Sequence, residues 1–573
     1  MTAAFTSSEH PGPADSSTPI GAPLRVAGVS GARWDDECDV MVVGFGAAGA
    51  CAAIEAARGG AKTIATDRFE GGGASAKSGG VVYAGGGTRY QKAAGYDDSP
   101  EAMYEYLSRE VGDAVSPATL RAFCEQSVAM LEWLEGNGVK FDSSLPPRKT
   151  SYPPDGCYLY FSGNETVKEY AGSYPPAPRG HRVKGKGLSG ALLYDALRRS
   201  AIDAGVRLVT QAAVRRLVID DAGGAVLGAE LWRLDHDPSA AARHRRFNRM
   251  AERLYYASRD LSDAMRRRAL AVEMASARPS MVRARGGVVL STGGFIFNRE
   301  MVSRYAPAYL RNFRLGTSGC DGSGIRLGES AGGDSAHLDR ISAWRFINPP
   351  LAWVRGVIVD ERGERFCNEE VYGARLGHEM CLRHGGRAWL VIDSTIRREA
   401  LREAIFGRLW GFQRIPALVL MLAGAKRGRT IEELAGAIGA DRTVMRNTLR
   451  IYNEAADRGE DSMGKSREFV RPLASPPFYA LNIAADMSVF PCPAITLGGL
   501  RVDEQSGAVL DRKGARIEGL YAAGRAAVGI ASNQYVSGLA LADCIWSGRR
   551  AGRAAAAASR LLAEAESNRI VST

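Results

Sequence analysis

Residues 39–67 constrain the fold of this chain more than any other stretch, because they carry every part of one nucleotide-holding unit in order. Residues 40–43 (Val-Met-Val-Val) are short and apolar, as a buried parallel strand requires, and Gly44, Gly46 and Gly49 follow at GxGxxG spacing. Gly44 permits the tight turn off the strand, Gly46 leaves room for a pyrophosphate, and Gly49 lets the next helix pack closely on the sheet. That helix presents its N-terminus to the phosphates. A second strand over 62–66 ends in Asp67, placed where a carboxylate accepts hydrogen bonds from ribose hydroxyls. An adenine dinucleotide, and hence a redox cofactor, is implied. The same spacing recurs at Gly185, Gly187 and Gly190 with no buried strand before it and no acid after it, so spacing alone would not suffice.

A chain of 573 residues with 45% hydrophobic content has room for a large core and two domains. No apolar run reaches the length of a membrane-spanning helix, and the N-terminus has neither a basic start nor an apolar signal core. Residues 1–33, rich in Ser, Thr, Pro and Gly, read as a disordered leader. Nine scattered cysteines without a CxxC pair, and seven histidines without ligand spacing, indicate neither disulfides nor a metal site and point to a cytoplasmic protein.

The net charge of +11 is concentrated. Between residues 243 and 285 twelve arginines face four acidic residues. Phe247, Met250, Leu254, Ala257, Leu261 and Ala264 recur there at helical spacing, which predicts a basic amphipathic helix. Three readings stand: a solvated excursion packed on its own domain, an anionic membrane surface, or nucleic acid, the last without any recognition motif.

Further along, the glycine-rich stretch 71–87 reads as a cofactor loop, 189–204 as a helix, and 207–231 as successive strands. Expected boundaries are a first nucleotide-binding part at 34–338, with a basic helical excursion at 236–285, an inserted catalytic domain at 339–486, and a second nucleotide-binding part at 487–573 ending in a long Ala-rich helix.

Four blocks, GFGAAG with Asp67, GGASAKSGG at 72–80, STGGF at 291–295, and TLGGLRVD with GLYAAGR at 496–525, together resemble the fumarate reductase/ketosteroid dehydrogenase superfamily of FAD flavoproteins. The resemblance implies an α/β fold: a Rossmann-like FAD-binding domain of the glutathione-reductase-like ββα type, with an inserted α+β capping domain that builds the substrate pocket. It implies FAD as cofactor, held through Gly44, Gly46, Ala48, Gly49, Asp67, Arg68, Gly73, Ala74, Ser75, Ser78, Gly79, Gly80, Thr292, Gly293, Gly524, Arg525, Gly538, Leu539 and Ala540. Lys77 is as readily a surface charge as a flavin contact.

The same resemblance separates substrates. Dicarboxylate enzymes of the superfamily carry an arginine after their RFxNE element and a histidine before TMGG. Here the element is Arg365-Phe366-Cys367-Asn368-Glu369-Glu370-Val371-Tyr372-Gly373, and Ile495 stands in the histidine's place. Losing both cations while keeping a tyrosine suits a flat, apolar substrate with one carbonyl. Tyr372 and Tyr535 match the two tyrosines of ketosteroid dehydrogenases. The Tyr535-Val536-Ser537-Gly538-Leu539 run is similar to the Δ4-(5α) branch rather than to the Δ1 branch, which carries a Pro-x-Pro-Gly run. The implied reaction forms a C4–C5 double bond in a 5α-3-ketosteroid, with hydride passing to flavin N5 and a proton leaving the carbon next to the ketone. Tyr535 and Ser537 are implied to handle the proton or the carbonyl, with Tyr372 on the relay and the Gly538 amide as a donor to the ketone oxygen. Tyr160, Phe161 and Arg179 are candidate pocket-lining residues. Alternatives are a Δ1-dehydrogenase, an enone or enoate reductase, and a flavin-loaded membrane-surface protein. The partners expected are a steroid, an unidentified electron acceptor and, through 243–285, an anionic membrane surface.

Overall fold

The structure, a computed structural model, describes residues 16–571. Residues 1–15 of the expected leader lie outside the described residues, and the remainder of it is seated. Leu24–Val26 pairs in parallel with residues 218–220 at one edge of a sheet. Thr18 is 3% exposed, and its amide and hydroxyl donate to Asp321 at 2.7 and 2.6 Å. The expectation of disorder is therefore corrected for residues 16–33. Their polar groups answer a buried carboxylate, and their few apolar ones extend a sheet.

Twelve elements frame the nucleotide-binding part: β1 (Leu24–Val26), β2 (Asp36–Val43), α1 (Ala47–Arg58), β3 (Thr63–Asp67), β4 (Arg207–Thr210), β5 (Ala212–Asp220), β6 (Val226–Arg233), α2 (Pro238–Leu254), α3 (Arg259–Ser276), β7 (Arg278–Leu290), β8 (Arg516–Ala522) and α4 (Leu539–Val571). The sheet order is β1-β5-β6-β7-β2-β3-β4. β7, β2, β3 and β4 run parallel, as a sheet covered by helices on its faces does, whereas β5–β6–β7 is an antiparallel meander. β7 serves both halves. Its residues 278–283 pair with β6 and its residues 288–290 pair in parallel with β8, so the chain returns to the first sheet after its long excursion. α1 and α4 pack against each other so closely that a side chain at Gly548 or Gly552 would meet the Ala48 or Ala52 carbonyl at 2.3 or 2.1 Å.

Between β7 and β8 lies a four-stranded antiparallel sheet of Val357–Val359, Trp389–Ile392, Phe478–Asn482 and Lys426–Gly428, with helices Gly373–Arg383, Ser394–Phe406 and Arg442–Asp457 among its companions. The polar letters of the RFCNEE element belong to the interior here. Glu369 accepts from Arg365 at 2.7 Å and Lys465 at 2.8 Å, Arg365 also pairs with Asp461, and the Ile358 amide donates to Glu369 at 2.8 Å.

Two sequence expectations change form. Residues 71–87 are not one irregular loop: Gly73–Lys77 is a short helix and Val81–Tyr83 a strand paired with Gly180–Arg182. The basic segment is two helices, α2 and α3, packed as a hairpin rather than a single amphipathic helix. The apolar stripe from Phe247 to Ala264 crosses the turn between them, where Ser258 caps the second helix by accepting from the Leu261 amide.

Candidate active site

A cavity of about 360 Å³ opens where β2, β3 and β7 end. Gly44, Gly46, Ala48, Asp67, Arg68, Gly73, Ala74, Ser75, Thr292, Gly293 and Arg525 line it, so eleven of the expected cofactor positions share one wall system. Gly44 has φ +92°, and a Cβ there would sit 2.7 Å from the Thr292 Cα, so only glycine makes this turn. A Cβ on Gly49 would lie 1.9 Å from the Gly44 carbonyl oxygen, which explains that glycine as helix packing rather than ligand contact. The first turn of α1 faces the cavity, and the Ser75 hydroxyl receives the Ala47 amide at 3.1 Å, tying the 73–77 helix to the phosphate-facing end.

Asp67 closes β3 as expected. Burial pushes its carboxyl up, while the amides of Phe45 at 3.0 Å and Phe69 at 2.8 Å pull the other way. With the Gly71 amide a third donor, the carboxylate still has acceptor capacity left for a ribose hydroxyl. Arg68 lines the cavity and also braces it: its guanidinium is buried and bonded to Glu273 and Asp321, both at 2.9 Å. Ser78, Gly79 and Gly80 stand behind the cavity wall. Gly79 accepts from Tyr152 at 2.8 Å and Ser189 at 3.1 Å, and the Ser78 hydroxyl donates to the Ser75 carbonyl at 2.7 Å. Gly524, Gly538, Leu539 and Ala540 lie at the start of α4 and its approach, also outside the lining. Lys77 pairs with Glu252 of α2 at 3.3 Å.

The residues present fit FAD. The cavity combines a helix N-terminus, a ribose-facing carboxylate and a cationic group awaiting a partner: Arg525 lines it, and its Nη1 is buried without a hydrogen-bond partner.

Beyond Arg525 a second cluster forms. Tyr535, Ser537 and Gly538 come from the segment entering α4; Tyr372 caps the helix Gly373–Arg383; Tyr160 ends the strand Leu159–Tyr160. The Tyr160 and Ser537 hydroxyls lie 3.0 Å apart, and Tyr535 and Tyr372 lie close enough to Ser537 for its hydroxyl to oppose the rise of both phenols. Trp344 packs at a tilt against Tyr535 at 4.5 Å and Phe346 meets Tyr372 edge-on at 5.2 Å, giving aromatic walls. Burial pushes the Tyr535 phenol up to about 12, opposed by the Gly538 amide, the Arg525 charge and the Ser537 hydroxyl. Burial drives Tyr160 and Tyr372 higher still, with neighbouring tyrosines adding to the effect. Gly538 follows Ser537 at the entry to α4. Its φ of +90° would set a Cβ 2.8 Å from the Tyr83 nitrogen, so no other residue fits there.

Sequence reasoning left Asn164 unnoticed. Its Oδ1 accepts the Tyr372 amide at 2.6 Å while its Nδ2 donates at 2.8 Å to Glu110, a carboxyl that burial raises to about 7. The signal was the Asn in YFSGNE, one of the few polar letters in a buried stretch. Arg179 is buried in a two-point pair with Asp98 at 3.0 and 2.7 Å, and Phe161 packs edge-on to Tyr96 at 5.7 Å.

Comparison with known proteins places this geometry. The FAD binding domain model matches residues 39–541. The 3-oxo-5-alpha-steroid 4-dehydrogenase of Comamonas testosteroni is 43% identical over 518 residues, covering 88% of this chain and 96% of that protein. The 3-oxosteroid 1-dehydrogenase of Mycobacterium tuberculosis strain H37Rv is 28% identical over 561 residues, covering 87% of this chain and 94% of that one. Among solved structures, the 3-ketosteroid-delta4-(5alpha)-dehydrogenase of Rhodococcus jostii RHA1 in complex with 4-androstene-3,17-dione superposes with TM-score 0.77 at 31% identity, covering 94% of this chain and all of that one. With a dinucleotide unit, a continuous match over most of its length and these relatives, the chain belongs to the FAD binding domain family of flavoproteins.

Proposed function

We propose that the protein is an FAD-dependent 3-ketosteroid dehydrogenase that introduces a C4–C5 double bond into 5α-3-ketosteroids. The carrying observation is the cluster of Tyr160, Tyr372, Tyr535 and Ser537, in which the Tyr160 and Ser537 hydroxyls lie 3.0 Å apart and Trp344 and Phe346 wall in Tyr535 and Tyr372. The relatives from Comamonas and Rhodococcus support the choice of bond.

FAD, when bound, supplies the hydride acceptor. The protein supplies the proton chemistry and polarises the ketone. Tyr535 is the base that removes the proton next to the ketone. Its phenol is raised less than those of its neighbours, and the Gly538 amide and Arg525 favour its ionised form. Tyr160 and Tyr372 stay protonated and act as donors, with Ser537 hydrogen-bonded to Tyr160. Gly44, Gly46, Ala48, Asp67, Gly73, Ala74, Ser75, Thr292, Gly293 and Arg525 hold FAD, with Gly49, Ser78, Gly79, Gly80, Gly524, Leu539 and Ala540 shaping the walls behind them. Residues 339–486 form the capping domain over the site.

A cytoplasmic setting fits nine free cysteines, eight of them buried. Among the described residues no helix is long and apolar enough to cross a membrane. An anionic bilayer as the surface from which steroid is drawn belongs to the same proposal. Its support is the tip of the α2–α3 hairpin, where Tyr256 and Leu261 are 76% and 54% exposed near Arg259, and co-sedimentation with anionic liposomes tests it.

Turnover of a 5α-3-ketosteroid with an artificial electron acceptor, followed by mass spectrometry and NMR of the product, tests the reaction. A 4-ene-3-ketone is expected; a 1-ene product would move the enzyme to the Δ1 class.

A further inference from the structure

The Arg-rich hairpin was the one strong sequence feature that the redox reading left without a task. In the fold it returns to the dinucleotide cavity. Asn248, Arg249, Glu252 and Arg253, one face of α2 at helical spacing, line the same cavity as Asp67 and the α1 N-terminus. The tyrosine cluster is absent from that lining, so α2 stands at the ADP half of the site.

The helix is fastened there on purpose-built contacts. Arg249 forms a two-point pair with Glu70, just past β3, at 2.9 and 2.6 Å. Glu252 receives Lys77 at 3.3 Å and the amide and hydroxyl of Ser318, both at 3.1 Å. Behind it, the α3 residue Glu273 joins His244 of α2 at 2.8 Å to Arg68 at 2.9 Å. These pairs consume Arg249 and Glu252 and leave two polar side chains facing the cavity. The Asn248 Oδ1 is buried without a partner, an arrangement that costs free energy unless a donor arrives. Arg253 is exposed, and a guanidinium at this position complements the charge of a pyrophosphate.

We propose that α2 is a wall of the dinucleotide site, with Asn248 accepting a hydrogen bond from, and Arg253 giving charge-assisted hydrogen bonds to, the ADP half of FAD. The inference rests on FAD occupying this cavity and not on the identity of the substrate. It accounts for a basic helix inserted between β6 and β7, since that connection puts the charge above the ends of β2 and β3 where the phosphates are held.

The test uses the holoenzyme and needs no steroid. Diluting it into flavin-free buffer and following the fluorescence of released FAD gives the dissociation constant. Arg253→Met and Asn248→Ala are each expected to weaken FAD binding by about tenfold or more. Arg253→Lys is expected to fall between wild type and Arg253→Met, and Arg246→Met, on an exposed position outside the cavity lining, to match wild type. Added salt should weaken the wild type more steeply than Arg253→Met, because one screened contact is missing from the variant. Circular dichroism establishes that each variant is folded. An unchanged dissociation constant in the folded Arg253→Met/Asn248→Ala double variant would overturn the proposal. So would an equal loss in Arg246→Met, or identical salt dependence in wild type and Arg253→Met.

Discussion

Tyr160, Tyr372 and Tyr535 influence one another's ionisation, yet their surroundings differ. Desolvation raises all three phenols, but only Tyr535 has the Gly538 amide and the Arg525 charge set against it, which holds it to about 12. A phenol in that position is the group of the three most readily ionised, which is why the proposed function gives Tyr535 the part of the base. Tyr535→Phe keeps the aromatic wall against Trp344 and removes the acid–base group. Flavin reduction by substrate should fall by about 10²-fold or more, with FAD content unchanged, as stopped-flow absorbance and the flavin-to-protein ratio will report. The pH dependence has a definite sign. The active form is deprotonated, so below the raised value the phenolate fraction grows about tenfold per pH unit. The rate of flavin reduction should climb from about pH 7 to about pH 10 without a plateau; a rate that falls over this range would remove Tyr535 as base.

At the scale of elements, two packings hold the sites in place, and each fails in its own way. α4 lies on α1 through Gly548 and Gly552, so Gly552→Leu drives a side chain into the Ala52 carbonyl. The cost should be about 1–3 kcal/mol, and because α1 carries the phosphate-facing turn, FAD affinity should fall with stability in urea titrations of holoenzyme. Below Tyr372, Glu369 answers both Arg365 and Lys465 in the interior. Glu369→Gln leaves two buried cations short of a partner and should cost about 3–5 kcal/mol. Much of this level was legible beforehand. Gly44, Gly49 and Asp67 act within one short unit, so their spacing announced them. Arg68 did not announce its role, because its partners Glu273 and Asp321 lie 205 and 253 residues away. Tyr160 and Ser537 are separated by 377 residues, and only the folded chain makes them one group. The basic segment was read correctly as charge and wrongly as one helix, since periodicity continues across a turn that the Ser258 cap breaks.

On the scale of the whole molecule, buried ion pairs connect regions distant in sequence. Arg68, Glu273, His244 and Asp321 join the N-terminal segment, the hairpin and the loop after β3. Burial opposes ionisation of Glu273, but Arg68 and His244 outweigh it and hold the carboxyl below its ordinary value; Lys465 and Arg365 do the same for Glu369. A depressed carboxyl contributes stability that is present above its unfolded pKa, about 4.3, and lost as pH falls through the lower folded value. Burial raises Glu110 to about 7 and works in the opposite sense above pH 5, so the part due to Glu273 and Glu369 shows below about pH 4; Glu273→Gln, less stable at neutrality, should lose less there in urea titrations than wild type.

The central claim, that this flavoprotein oxidises the C4–C5 bond of a saturated ketosteroid, is tested most directly without any electron acceptor. Purified holoenzyme is mixed anaerobically with a 5α-3-ketosteroid and, separately, with a 4-ene-3-ketosteroid, and the visible flavin band is followed. Bleaching by the 5α-ketone and none by the 4-ene is the predicted result; bleaching by the 4-ene alone, or by neither, would contradict it.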